Sequence, residues 1–147
     1  MLFIALRFWL PLVLVCGYAL VRGGAPERLA AAMLVAAGMV TLAVERQAAV
    51  RFSSVELGVM AVDLALLAGL FALSMQANRW WPLLLAALQL MTLLGHLGKW
   101  LNPDLMRLGY AIMLFAPAYP LIAVLAAGTH RHQRRLRRHG IDAAWSG

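Results

Sequence analysis

The sequence predicts an all-α fold, a polytopic membrane helical bundle of five transmembrane helices, and three observations predict it. Five apolar runs, each about as long as a bilayer is thick, take up most of the 147 residues. Hydrophobic residues make up 63% of the chain and charged ones 13%, with mean hydropathy +0.79, far from the profile of a soluble domain. The connections are too short to build anything outside the bilayer. A hydrocarbon core roughly 30 Å thick needs about 20 residues of helix rising about 1.5 Å each, and the runs are Met1–Val21, Pro26–Val44, Val55–Met75, Trp80–Leu97 and Leu105–Gly128. The second and fourth are short, which fits a thinner bilayer or a re-entrant segment, so four spans are the alternative. Residues 1–128 thus form a single transmembrane bundle and residues 129–147 a basic C-terminal tail.

The first run is read as a retained span rather than a cleaved leader. Its early charge, Arg7, lies inside the run, and the small-residue pair Gly17 and Ala19 is followed by further apolar residues. The lone Cys16 follows Val15, not the small residue a lipid-attachment site needs, and reads as a small packed apolar side chain. In the second run Glu27, just after Pro26, is placed to favour a helix N-terminus.

The third run opens with Ser53, Ser54, Val55 and Glu56, a capping-box pattern with Glu56 reaching back to the cap. Asp63 has no such local explanation. An aspartate at mid-span costs roughly 2.5–3.5 kcal/mol by insertion scales, so it should face protein or water. At about 100° per residue, Asp63 shares a face with Glu56 and Ser74, while Ala61, Ala65 and Gly69 form a small-residue row on roughly the opposite face, suited to close helix packing. The third span is therefore expected to be the central helix.

The fourth run carries Gln89, Thr92 and His96 in one sector, with Trp80, Trp81 and Trp100 as interfacial anchors. Asn102-Pro103 reads as a cap and first-turn proline for the fifth run, which Pro117 and Pro120 interrupt. Asp63, His96, Arg7 and Tyr110 all fall toward one end of their spans. The expectation is a polar pocket in which Asp63 meets His96, with Gln89, Arg7 and Tyr110 around them. A charge-compensating core would use the same residues.

Of the 13 Lys and Arg, five follow the last span: Arg131, Arg134, Arg135, Arg137 and Arg138. They read as a stop signal and a contact for anionic headgroups of the lipid bilayer. Nucleic-acid binding would call for aromatic interleaving or a folded reader, and neither accompanies the run. No metal is expected: His130 and His132 cannot share a helix face, and no Cys or carboxylate completes a set with His139. No cofactor is implied either, since a bis-histidine haem would need a second intramembrane histidine. By the positive-inside rule the N-terminus lies outside and the tail in the cytoplasm, a reading that rests almost wholly on the tail.

The residues Arg51, Glu56 to Val59, Val62-Asp63, Arg79 to Pro82, Gln89-Leu90, His96-Leu97, Tyr119-Pro120 and Gly128 to Arg131 cover roughly the C-terminal two thirds of the chain. They resemble small uncharacterised polytopic proteins of GC-rich bacteria. The resemblance implies a bacterial inner (cytoplasmic) membrane location and no activity. No nucleophile–base pair or metal set is legible for an enzyme. The function read from the sequence is a non-catalytic accessory, assembly or scaffold subunit of a larger membrane complex or homo-oligomer; the alternative is an ion- or ligand-coupled transporter or sensor using the Asp63 and His96 pocket.

Overall fold

Six helices follow one another in the computed structural model, which describes residues 2–44 and 55–145, with side chains from residue 8 onward in the first stretch. They are α1 Leu2–Arg22, α2 Ala25–Val44, α3 Leu57–Gln76, α4 Trp81–Leu101, α5 Arg107–Phe115 and α6 Ala118–His139. No strand is formed among the described residues beyond an isolated antiparallel bridge between Ala77 and Trp145. Four segments are long and apolar enough to cross a membrane: α2, α3, α4 and the run Arg107–His139 that joins α5 to α6. The described part of α1, Phe8–Arg22, is a shorter apolar helix. Large apolar side chains such as Val21, Leu57 and Leu101 stand exposed on the outer faces, as a surface bathed in acyl chains requires.

The punctuation between helices is local chemistry. Gly23 closes α1 through its N–H to the Ala19 carbonyl, and the Gly24 carbonyl accepts the Arg28 N–H to begin α2, with Pro26 in the first turn. Pro82 likewise sits in the first turn of α4. The interruption in the last span falls at Ala116 and Pro117, where the backbone stays in the right-handed helical region, so the span bends rather than ends. Phe8 of α1 packs edge-on against Phe115 and Tyr119 on either side of this bend. α6 ends at Gly140, whose φ of +72° gives the left-handed turn that glycine adopts without strain.

Successive spans pack side by side, with α5 and α6 forming one bent span, and α6 closes the bundle against α1 and α4. The apolar core lies midway: Leu12, Cys16 and Ala19 from α1; Ala30, Ala31 and Leu34 from α2; Leu70 and Leu73 from α3; Leu85 and Ala86 from α4; Leu121, Ile122 and Leu125 from α6.

Several expectations are corrected. The central helix is α4, which buries 44% of its span against 11% for α3 and touches α3, α5 and α6. Its stripe of Gln89, Thr92, His96 and Lys99 must be covered on several sides, whereas α3 has essentially Asp63 to hide. Ala61 and Ala65 are exposed; only Gly69 reaches a neighbour, Met33 of α2. An i, i+4 row turns by about 40° per step, so Ala61 and Gly69 lie about 80° apart, and the contact with α2 follows Gly69 rather than the whole row. The seam with α2 is marked instead by Gly58 against Val44 and Gly69 against Met33.

Glu56 is itself the N-cap of α3 and makes no side-chain cap bond, while Ser53 and Ser54 lie outside the described residues. Asn102 ends α4 rather than starting α5, its N–H bonded to the Gly98 carbonyl. The reason is Lys99, which is buried and donates to the carbonyls of Pro103 and Leu105, folding the connection back over the helix end. Trp81 is not an anchor but a buried ring stacked over Gly128 of α6, while Trp80 and Trp100 are exposed.

Candidate functional site

Asp63 lies six residues into α3, about 9 Å along the axis from the helix start. His96 faces it from the C-terminal turns of α4, and Tyr110 reaches in from the first turn of α5. The Gln89 Nε2 donates to Asp63 Oδ1 at 2.9 Å and lies 3.3 Å from the Asp63 carbonyl. His96 Nε2 is 2.9 Å from Asp63 Oδ2, and the Tyr110 hydroxyl is 2.6 Å from His96 Nδ1. The result is one hydrogen-bonded chain, carboxylate to imidazole to phenol, drawn from three helices. The Tyr110 and His96 rings also meet edge to face.

His96 and Tyr110 are fully buried, whereas the Asp63 side chain keeps 16% of its surface. Of the three side chains in the chain, Asp63 is therefore the one that reaches the surface of the bundle. With Asp63 ionised and His96 neutral, Nε2 carries the hydrogen donated to Oδ2, and Nδ1 accepts from the tyrosine O–H. One added proton turns the ring into a double donor, so the tyrosine oxygen must then accept. The cluster carries one net negative charge without that proton and none with it. Every heavy atom can stay in place while the hydrogens reverse.

Of the five residues expected in this pocket, the structure brings Asp63, Gln89, His96 and Tyr110 together. The side chain of Arg7 lies outside the described residues. No group of three or more His, Cys, Asp and Glu suited to a metal occurs among the described residues.

The opposite end of the bundle holds a second polar cluster that sequence reasoning missed. Past Gly140 the chain folds back, the Asn78 N–H bonding the Ala144 carbonyl, and the Asp142 side chain is buried against two guanidinium groups and an imidazole. Arg79 Nη2 and His132 Nδ1 lie 2.7 and 2.6 Å from Asp142 Oδ2, and Arg135 Nε donates to Oδ1 at 2.8 Å. Burial works against the charged carboxylate. The hydrogen bonds from Arg135 and His132 and the charges of Arg79 and Arg135 outweigh it and hold the Asp142 carboxyl below its ordinary range. The available signal was a single acid following a run of arginines, which a search for like-charge runs passes over.

Glu27 is also fully buried there, near His132, and its carboxylate oxygens have no hydrogen-bond partner among the described residues. The helix continues unbroken across the expected boundary at residue 128. Of the five arginines expected at the headgroups, Arg135 binds Asp142 and Arg131 lies over the Trp80 ring at 5.5 Å, while Arg134, Arg137 and Arg138 are exposed.

Fold and surface define the class as an all-helical bundle with the apolar segments of a membrane protein. Compared with known proteins, the chain matches no family model, no curated protein and no solved structure.

Proposed function

We propose that this chain is a bacterial inner-membrane protein, N-terminus outside and C-terminus cytoplasmic, in which the Asp63–His96–Tyr110 chain takes up and releases a proton in step with an ion or small polar ligand. The observation that carries the reading is that both ring nitrogens of a fully buried histidine are engaged, one by a carboxylate and one by a phenol. Gln89 and His96 satisfy Asp63, and Tyr110 satisfies the second nitrogen of the buried ring. The added hydroxyl makes the reversed hydrogen arrangement available to the protonated ring, and the partly exposed Asp63 side chain gives a proton or cation a point of entry.

Proton flux into vesicles reconstituted with the full chain tests this, with an imposed pH gradient and candidate ions added in turn. Asp63→Asn keeps the shape and removes the charge, so it should abolish flux while leaving the fold intact. Flux no greater than that of empty vesicles, with every ion tried, would refute the reading.

A second reading, a non-catalytic accessory or assembly subunit or a homo-oligomer, is favoured by one observation. The side chains of Ala61, Ala65, Ala68 and Ala72 are exposed on one face of α3 beside Phe71 and Met75, and such a face lets another helix approach closely. Recovery of a stoichiometric companion in mild detergent, lost on substituting Ala65→Leu, would favour it.

A further inference from the structure

A cleft of about 240 Å³ opens between the end of α1 and α6, lined by Tyr18, Arg22, His130, Gln133, Arg134 and Arg137. The four α6 residues recur at i, i+3, i+4 and i+7 and so share one face, and Tyr18 and Arg22 share a face of α1. Gln133 donates to the Arg22 carbonyl and ties the two helices together at the cleft. Among the described residues Arg22, Arg134 and Arg137 make no ion pair; of the two acids at this end, Asp142 is bound by Arg79, His132 and Arg135, and Glu27 is fully buried beside His132. Three guanidinium groups therefore line one concavity with no carboxylate partner among the described residues, beside a phenol and an imidazole.

The position of the cleft says what neutralises them. Val21, immediately before Arg22, is 72% exposed, and Leu14 on the same side of α1 is 63% exposed, so apolar surface leads straight to the cationic cleft. A ligand that fits both has an anionic head and an acyl tail. Guanidinium forks match phosphate oxygens in pairs.

We propose that the cleft binds the phosphate of an anionic phospholipid, with its acyl chains lying along Leu14 and Val21. This replaces a diffuse contact by five tail arginines with a defined site, which includes Arg22 from the other end of the sequence and leaves out Arg131, Arg135 and Arg138.

The test is native mass spectrometry of the full chain released from phosphatidylcholine vesicles containing a minor fraction of phosphatidylglycerol, scoring retained anionic lipid. Two double variants remove equal charge: Arg134→Gln with Arg137→Gln inside the cleft, and Arg28→Gln with Arg138→Gln outside it. At about fivefold per arginine, the cleft variant should lose about 25-fold in affinity and the outer variant about twofold or less. Equal losses, or none in either, would overturn the site.

Arg134→Lys with Arg137→Lys keeps the charge but not the fork, and should show an intermediate loss while reporting that the helix still folds. Inorganic phosphate at millimolar concentration should not displace the lipid; displacement would overturn the lipid assignment in favour of a free anion. Retention should be unchanged in Asp63→Asn, so this site and the proton chain fail or stand separately.

Discussion

A single hydroxyl separates a paired Asp63 and His96 from a three-membered chain, and Tyr110→Phe isolates it. Interhelical hydrogen bonds in membranes contribute about 0.6 kcal/mol on average and up to about 1.7, so this variant should lose stability in that range in detergent unfolding. Gln89→Leu should lose more, because it leaves Asp63 Oδ1 without its donor in a poorly hydrated setting. Equal, negligible losses in both would mean that water already satisfies these atoms. At the other end of the bundle, Asp142 makes a pH prediction. Its folded value lies below the ordinary 3.8, so its contribution is fully present above that value and is lost as pH falls below it through the folded value. Fluorine NMR of a labelled Trp145 should show the 140–145 segment docked at neutral pH and released in acid below about pH 4. In Asp142→Asn the released signal should persist at every pH, and a docked signal there would remove the carboxylate from the account.

Between helices, the contacts that matter are those where a Cβ has no room. A Cβ on Gly128 would meet ring atoms of Trp81 at 3.0–3.2 Å, and the indole, held between α4 and α6, has little freedom to move. Gly128→Val should therefore cost about 1–3 kcal/mol by overpacking. Gly69→Leu should cost a similar amount at the α2 seam, though Gly69→Ala meets only the flexible Met33 sulfur, at 3.1 Å. Ala65→Leu, on the exposed face of the same helix, should leave the isolated bundle as stable as the parent. Guanidinium-independent unfolding, such as steric trapping, would rank the three, and a destabilised Ala65→Leu would move the seam. The small-residue row was visible in the sequence, but its facing was not, because a row at i, i+4 drifts around the helix and the sequence does not show which end meets a neighbour. The misplaced cap at Asn102 has another origin: Lys99 bonds the loop carbonyls from four and six residues away, a local side-chain staple that cap patterns do not include and that outweighs the cap chemistry of Asn102.

For the molecule as a whole, antiparallel packing puts Arg22, Asn78 and Ala143 at one end and His96, Asn102 and Tyr110 at the other. In a Cys16→Ala background, cysteines at Asn78 and Ala143 should label from the cytoplasmic side of intact cells and a cysteine at Asn102 from outside. Labelling of Asn102 and Ala143 from the same side would exclude the arrangement. The two ends differ in chemistry as well: one holds the buried Asp63–His96–Tyr110 chain, the other the arginines and the docked Asp142.

The sequence by itself determined the class of fold, the approximate helices and the short set of polar residues that had to be buried. The bilayer sets helix length, and an ionisable side chain in hydrocarbon must find a partner, so both show in a linear reading. Asp63, Gln89, His96 and Tyr110 could be grouped for that reason, from depth and helix face alone. Only the tertiary structure decided that α4 rather than α3 is central, that Asp142 takes Arg79, His132 and Arg135, and that Gln133 bonds Arg22 across 111 residues of sequence. Those outcomes depend on how each helix is rotated about its axis. That rotation is set by side chains meeting across the bundle, so no single helix encodes it.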